Sequence, residues 1–144
     1  MSTEENKALV RDYLDNHFMA MLRGEEHDVG AFLAPDVKYH TAWITPRDDH
    51  TETLQAEGEA LRSAFRDVDL RVDRMVAEDD FLTAHWSASV HHHGSFPHAA
   101  GEIEPTGQQV EVGGLSLYRL RDGKITDIWV YSNVWDAVRS GALA

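Results

Sequence analysis

The hydrophobic pattern of this 144-residue chain changes its period near Val68, and that change constrains the fold more than any other feature. Before it, apolar residues recur every three or four positions, as on one side of a helix, at Val10, Leu14, Phe18 and Met21. After it, apolar and polar residues alternate as in β-strands, in VDLRVDRMVA, FLTAHWSASVHHH, QVEVGGLSLYRL and KITDIWVYSN. Helices followed by antiparallel strands predict an α+β fold whose helices pack on one face of a bent sheet.

The N-terminal part carries start and stop signals for three helices. Ser2 and Glu5 form a capping-box pattern, and the helix that follows is predicted to end near Gly24. A short second helix is predicted over 29–33, stopped by Pro35. A third is predicted from apolar residues that share one helical face, namely Leu54, Gly58, Leu61 and Phe65.

Turn residues mark how the strands are joined. An acidic turn at 78–80 predicts a hairpin between the first two long strands, and Asp122-Gly123 predicts a second hairpin. An earlier strand is predicted over 37–43. The glycine pair at 113–114 suggests a bulge or sharp bend, and a short helix is expected over 134–142.

Composition excludes several classes of protein. A length of 144 residues predicts one domain spanning 1–144. The net charge of −12 argues against nucleic acid and anionic membranes as partners. The absence of cysteine removes disulfides and thiolate chemistry. The N-terminus is charged, and no apolar run approaches the roughly 20 residues of a membrane span, so a cytoplasmic location is expected.

Four stretches, in order along nearly the whole chain, resemble the SnoaL-like polyketide cyclases: APDVKYH, LRSAFRDVDLRVDRMVAEDD, HWSASVHHHGSF and PTGQQVEVGGLSLYRLRDGKITDIW. The resemblance implies the fold of nuclear transport factor two, a cone-shaped curved antiparallel sheet whose N-terminal helices enclose a pocket. It also implies a homodimer, a small-molecule substrate and a cofactor-independent cyclase, lyase or isomerase. Hydrolases, hydroxylation-associated members and pure binding domains belong to the same group.

The last strand carries a departure from the family pattern. Strand alternation places Trp129, Tyr131 and Asn133 on one face. The family motif resembles E-H-W-x-x-x-D, with the final Asp as general acid/base, and alignment on Trp129 puts Asn133 at that position. An amide does not take a proton at neutral pH. Asn133 is therefore a catalytic candidate as a hydrogen-bond donor to an oxyanion, with N-capping of the final helix as the alternative.

Histidines are the other candidates for proton transfer, because the unperturbed pKa of histidine lies near neutrality. His92 lies on the more apolar face of its strand and matches the histidine of a family pattern resembling G-T-H-x-G; a buried structural histidine is the alternative. His40 matches another frequent family histidine. His17 and Tyr13 lie on the apolar stripe of the first helix, where they reach a pocket from the side or pack in the core.

Aromatic residues indicate the class of substrate. A flat-walled apolar pocket suits an aromatic or polyketide-like ligand, and the predicted lining residues are Trp129, Tyr131, Trp86, Tyr118 and Trp43. His91 and His93 share a strand face, but no Asp or Glu on that strand completes a ligand set, so no metal is predicted.

Two hypotheses about function follow. The first is a cofactor-independent enzyme that acts by acid–base enolate chemistry on a small carbonyl compound. The second is a non-catalytic small-molecule binding domain. A hydratase, dehydratase or hydroxylation-associated enzyme is a third possibility.

Overall fold

The computed structural model describes residues 2–25, 28–40, 51–98 and 101–143. Helices and strands follow one another in the order α1 (Thr3–Asp12), a π-helical segment (Tyr13–Phe18), α2 (Met19–Leu22), a 3-10 turn (Val29–Ala31), β1 (Leu33–Tyr39), α3 (Thr51–Ala64), β2 (Phe65–Glu78), β3 (Phe81–His92), β4 (Phe96–His98), β5 (Gly101–Ile103), β6 (Gln109–Arg121), β7 (Lys124–Ser132) and α4 (Val134–Leu143). The predicted α+β class is confirmed.

The predicted first helix is confirmed, and it runs without a break from α1 through α2. At its start the Ser2 hydroxyl accepts a hydrogen bond from the Glu5 backbone N–H at 3.1 Å, and the Glu5 carboxylate accepts one from the Ser2 backbone N–H. Two of the backbone N–H groups that lack an intrahelical partner at the helix start are thereby satisfied. Gly24 ends the helix with a φ of +71°, a conformation that glycine adopts without strain.

The segment before Pro35 differs from the prediction. A single 3-10 turn replaces the predicted helix over 29–33, and strand β1 begins at Leu33, earlier than the predicted 37–43. Pro35 lies inside this strand. A strand tolerates proline at the edge of a sheet, where one side of its backbone has no partner strand, and β1 is an edge strand.

The main sheet has five strands in the order β1-β7-β6-β3-β2. Neighbours pair antiparallel except for β1, which runs parallel to β7. The sheet is therefore mixed, whereas a wholly antiparallel sheet was expected. The chain leaves β1 through α3 and begins the hairpins at the opposite edge. No tight turn therefore fixes the direction of β1, and a parallel pairing is allowed.

Both predicted hairpins are confirmed. Glu78 pairs with Phe81 across a two-residue turn, in which Asp79 has a φ of 53°. In the second hairpin Asp122 and Gly123 both have positive φ, 52° and 74°, which is the conformation of a type I′ turn.

The glycine pair serves close packing of strands. The register between β3 and β6 continues without a shift past Gly113 and Gly114, so the bulge suggested by the sequence is not present there. A Cβ atom on Gly114 would lie 2.3 Å from the backbone oxygen of Tyr131. Glycine at this position therefore lets β6 approach β7 more closely than any other residue would.

Two buried clusters lie on the helix-covered face of the sheet. The first joins the N-terminal helix to β1 and one half of the sheet, with Val10, Leu14, Leu82, Leu120, Ile125 and Ile128 among its members. The second joins α3, α4 and β4 to the other half, with Phe65, Val90, Phe96, Val110, Val112 and Val138 among its members. Within the described residues, no helix is long and apolar enough to cross a membrane.

Candidate functional site

A cavity of about 130 Å³ lies between the two clusters, bounded by the helices and one face of the sheet and partly open to solvent. A cavity of comparable size and apolar lining holds one benzene molecule in an engineered protein. Side chains from the N-terminal helix, α3 and strands β1, β2, β3, β6 and β7 form the wall, among them Tyr13, Phe18, Tyr39, Leu61, Phe65, Leu70, Trp86, Ala88, Val112, Ser116, Tyr118, Ile128, Val130 and Ser132. The predicted wall residues Tyr13, Trp86 and Tyr118 are therefore in place.

The face of strand β7 that lines the cavity is not the face with Trp129 and Tyr131 that was expected there from the sequence. Its cavity-facing side chains are Ile128, Val130 and Ser132. Trp129 and Tyr131 consequently point to the outer face of the sheet, where Tyr131 is 61% exposed. Placing these two aromatics in the cavity was wrong, because alternation separates the two faces of a strand without saying which one the helices cover.

Three polar side chains in the wall lie close together. Trp86 donates a hydrogen bond from Nε1 to the Ser116 hydroxyl at 3.0 Å. Burial raises the pKa of Tyr118 to about 12, and a hydrogen-bonding interaction with Ser116 offsets part of that increase. These residues form a polar strip along a mostly apolar wall.

Tyr13 meets this polar strip from the helix side. Its ring packs edge-on against Tyr118, with the ring centroids 6.2 Å apart. Burial, and secondarily the neighbouring Tyr118, raises the pKa of Tyr13 far above the usual range. Both tyrosines therefore keep their hydroxyl protons at neutral pH and act as hydrogen-bond donors.

No wall residue that the structure describes is an Asp, Glu, His, Lys or Arg. His17, predicted to reach the pocket, is buried behind the wall and stacks on Tyr13, with centroids 5.1 Å apart. The described wall is thus uncharged and has no general base that works near pH 7.

His92 is fully buried outside the wall, with Phe65 packed against it at 5.6 Å between ring centroids. The backbone N–H of Thr106 donates to Nδ1 at 3.3 Å, so the neutral ring carries its proton on Nε2. Burial lowers the pKa of His92, although an interaction with the Gly94 backbone opposes the shift. His92 is thus buried in the core and neutral, but among the described residues its Nε2 has no hydrogen-bond partner, so it is not a fully satisfied core histidine.

His40 makes a pair that the sequence alone did not reveal. Its Nε2 lies 2.8 Å from Oδ2 of Asp127, and the Thr126 hydroxyl donates to Oδ1 of the same carboxylate at 2.8 Å. Burial opposes the charge of Asp127, but these bonds outweigh it and hold the pKa of that carboxyl below its usual value. The His40 ring also stacks on Trp129 at 4.4 Å. Asp127 and Trp129 lie on the outer face, so the pair lies outside the cavity.

Comparison with known families identifies the chain. The family model of the SnoaL-like polyketide cyclases matches residues 10–140. The chain belongs to this family. A comparison with curated proteins finds no match.

Several solved structures share the fold of this chain. AclR of Streptomyces galilaeus, provisionally named a hydroxylase, is 22% identical, with a TM-score of 0.77 and 99% of each chain covered. A provisionally named SnoaL-like polyketide cyclase from Jannaschia is 15% identical, with a TM-score of 0.78 over 99% of this chain and 94% of that one. IdmH of Streptomyces antibioticus, provisionally named a polyketide cyclase, is 19% identical, with a TM-score of 0.71 over 93% and 98%. These likenesses confirm the fold built like nuclear transport factor two.

In this SnoaL-like chain Asn133 ties the end of β7 to β6. Its side-chain oxygen accepts a hydrogen bond from the Gly113 N–H at 2.8 Å, and its backbone oxygen accepts one from the Ala137 N–H in α4. Asn133 is exposed and does not belong to the cavity wall. Its amide oxygen therefore holds two elements together, and its backbone starts the helix.

Two further predictions concern a metal and Trp43. Within the described residues, no group of three His, Asp or Glu side chains is arranged to hold a metal ion. His91 instead lies 3.3 Å from the Arg66 guanidinium. Trp43, a predicted wall residue, lies outside the described residues.

Proposed function

We propose that this SnoaL-like protein binds a polyketide-like or other small carbonyl compound in the cavity and catalyses a cyclisation or isomerisation through enolate chemistry, without a cofactor. The observation that carries the proposal is the apolar cavity, whose wall includes two tyrosines that stay protonated at neutral pH, Tyr13 and Tyr118. An apolar wall strengthens the hydrogen bonds that a ligand makes against it, and a cavity of this size holds reacting atoms close together.

Tyr13 and Tyr118 act in this proposal as donors to the substrate carbonyl. A hydrogen bond to that oxygen stabilises the negative charge of the enolate and so eases removal of the neighbouring proton. Because the described wall has no side chain that accepts a proton near pH 7, the proposal assigns proton uptake to water in the cavity. The tyrosines and the shape of the cavity supply the rest of the rate enhancement.

Exchange of solvent deuterium tests this reaction directly. A panel of β-dicarbonyl compounds is incubated with the protein in D₂O, and incorporation at the α-carbon is followed by NMR. We expect faster exchange than in buffer, and a rate at least about tenfold lower in Tyr118→Phe, since one lost donor costs that much or more. Tyr131→Phe is the matched control, because it removes the same hydroxyl from the outer face. Exchange no faster than in buffer contradicts the enzymatic proposal.

A non-catalytic binding domain is the second candidate. The observation that favours it is the uncharged wall, which binds a neutral ligand well but lacks a general base among its described residues. Saturable binding of panel members without any deuterium exchange would support this candidate over the first. The variants His92→Ala and His40→Ala are tested in the same experiment. Loss of deuterium exchange in either variant would show that the histidine takes part in the reaction.

We also propose that two copies of the chain pair through the outer face of the sheet. In support, apolar side chains are exposed on that face, and the register groups them there: Val76, Phe81, Leu115 and Tyr131. Contiguous exposed apolar surface is typical of protein interfaces. We expect light scattering to give twice the chain mass, and Leu115→Asp to give the single chain mass. Arg139→Asp on α4 is the control, and a monomeric wild type at tens of micromolar contradicts pairing.

A further inference from the structure

The cavity wall limits the charge of what it can hold. Its described residues supply no charged side chain to pair with a carboxylate, phosphate or ammonium group. An unpaired ion buried in an apolar cavity loses its hydration without compensation, which costs far more than burying a neutral group. The described part of the wall therefore favours a neutral ligand.

Trp86, Ser116 and Tyr118 form a row of hydrogen-bonding groups in the wall, and the donor at its start sets which way the protons point. The indole N–H of Trp86 only donates, so the Ser116 oxygen accepts from it and the Ser116 proton points elsewhere. Tyr118 lies two residues along the same face of β6, and both side chains line the cavity. A Ser116 proton directed at the Tyr118 oxygen would leave the Tyr118 proton for the cavity.

Such a donor needs an acceptor once a ligand has displaced water. A buried hydroxyl with no partner is costly, whereas a ligand oxygen at that place removes the cost. Tyr118 is 3% exposed, so a ligand that fills the cavity also removes the remaining access of water to the hydroxyl. An sp² carbonyl oxygen fits this requirement, because it accepts and never donates.

We infer that the cavity selects a neutral, ring-sized carbonyl compound whose oxygen accepts a hydrogen bond from Tyr118, with Ser116 and Trp86 positioning that hydroxyl. This inference rests on the proposed function, since it names the ligand class of the same cavity. The ligand carries its oxygen at one end, against β6, and its apolar ring lies against the side chains from β2, β3 and β7.

The test compares two rings of nearly equal shape, cyclohexanone and methylenecyclohexane, by titration followed with NMR. In Tyr118→Phe we expect the Kd of cyclohexanone to rise roughly tenfold, the usual effect of one hydrogen bond, and that of methylenecyclohexane to change less than about twofold. Tyr131→Phe should leave the Kd of both compounds unchanged. Cyclohexanecarboxylate should bind the wild type at least about tenfold more weakly than cyclohexanone.

Infrared spectroscopy of bound cyclohexanone reports on the hydrogen bond without relying on a variant. The carbonyl stretch should lie at a lower frequency in the wild-type complex than in hexane, return to the hexane value in Tyr118→Phe, and return part of the way in Ser116→Ala. A loss of packing alone would not move this frequency.

The possible results distinguish a failure of the Tyr118 donor from a failure of ligand binding in the cavity. If both rings bind but Tyr118→Phe affects them equally, or if the carbonyl stretch is unshifted, the inference about the donor is overturned while the cavity remains a ligand site. If Ser116→Ala abolishes the shift and Tyr118→Phe retains it, Ser116 is the donor and the assignment is wrong. If neither ring binds the wild type, the proposed function itself fails.

Discussion

At the scale of single residues, the two histidines chosen from the sequence have opposite environments. His92 is buried, accepts a backbone hydrogen bond and lies among apolar side chains. His40 is half-buried and paired with a carboxylate. His92 is therefore expected to contribute to stability through its neutral form, and His40 through its hydrogen bond with Asp127.

The environment of His92 predicts a pH dependence of stability. Its pKa is lower in the folded state than the value of 6.5 expected when unfolded, so the unfolded chain binds the proton more readily. The contribution of neutral His92 is full above pH 6.5 and is lost as the pH falls below it. Between pH 7.5 and 5.5, we expect the free energy of unfolding to fall by about 1 kcal/mol more in the wild type than in His92→Gln.

Urea denaturation at the two pH values measures this difference. His85→Gln is the control on the same strand, because His85 is 57% exposed. A wild type and a His92→Gln variant with the same pH dependence would show that His92 does not resist protonation.

Asp127 is the partner that holds His40. Replacing it with Asn removes the negative charge from a side chain that is 16% exposed and accepts two hydrogen bonds. We expect Asp127→Asn to lower the free energy of unfolding by about 1–2 kcal/mol at pH 7. Asp136→Asn breaks an ion pair on the surface of α4 and should cost less than about 0.5 kcal/mol. Equal effects of the two variants would mean that the Asp127 pair is no stronger than a surface pair.

At the scale of elements, the approach of β6 to β7 depends on one glycine. In Gly114→Ala the new methyl group would lie 2.3 Å from the backbone oxygen of Tyr131, so a strand has to move. We expect a loss of about 2 kcal/mol in the free energy of unfolding. Gly30→Ala is the control, since the new methyl group meets its nearest neighbour at an ordinary 3.5 Å. A Gly114→Ala variant as stable as the control would show that the strands are not constrained there.

Local signals in the sequence predicted the elements whose causes are local. The capping box at Ser2, the stop at Gly24 and the turn at Asp122-Gly123 all act within a few residues, and each is found as predicted. The parallel pairing of β1 with β7 was missed because it joins residues about 90 positions apart and leaves no local trace. Pro35 was interpreted as the stop of a helix for the same reason. A proline is acceptable inside β1 because β1 is an edge strand, and the sequence does not show which strand lies at the edge.

Part of the cavity wall was predictable for a similar reason. Tyr13, Trp86 and Tyr118 lie on stretches whose inward face is marked by many apolar neighbours. On β7 both faces carry large apolar side chains, so the pattern did not show that Ile128 and Val130 face inward rather than Trp129 and Tyr131. The pair of His40 with Asp127 depends on the pairing of β1 with β7, and it was missed together with that pairing.

At the scale of the whole molecule, the cavity lies between the two clusters of the core, both of which contact Leu70 in its wall. The cluster under the N-terminal helix and the cluster under α3 and α4 are each closely packed, and the space between them is left unfilled. Protein interiors usually leave few voids larger than a water molecule, because lost contacts cost stability. A space kept at that cost is the expected signature of a ligand site.

Two alanines on the inward face of β3 test this division of the core. Ala88 lies in the cavity wall, whereas Ala84 is fully buried in the first cluster and is not part of the wall. In Ala88→Leu the longer side chain grows into open space, so the free energy of unfolding should change by less than about 1 kcal/mol. The same substitution at Ala84 overfills a packed region and should cost about 1–3 kcal/mol.

Binding should show the reverse order: cyclohexanone affinity falls at least about tenfold in Ala88→Leu and stays near the wild-type value in Ala84→Leu. Urea denaturation and NMR titration measure the two quantities on the same samples. Equal destabilisation by both variants would mean that Ala88 borders no usable space, and unchanged binding in Ala88→Leu would place the ligand elsewhere.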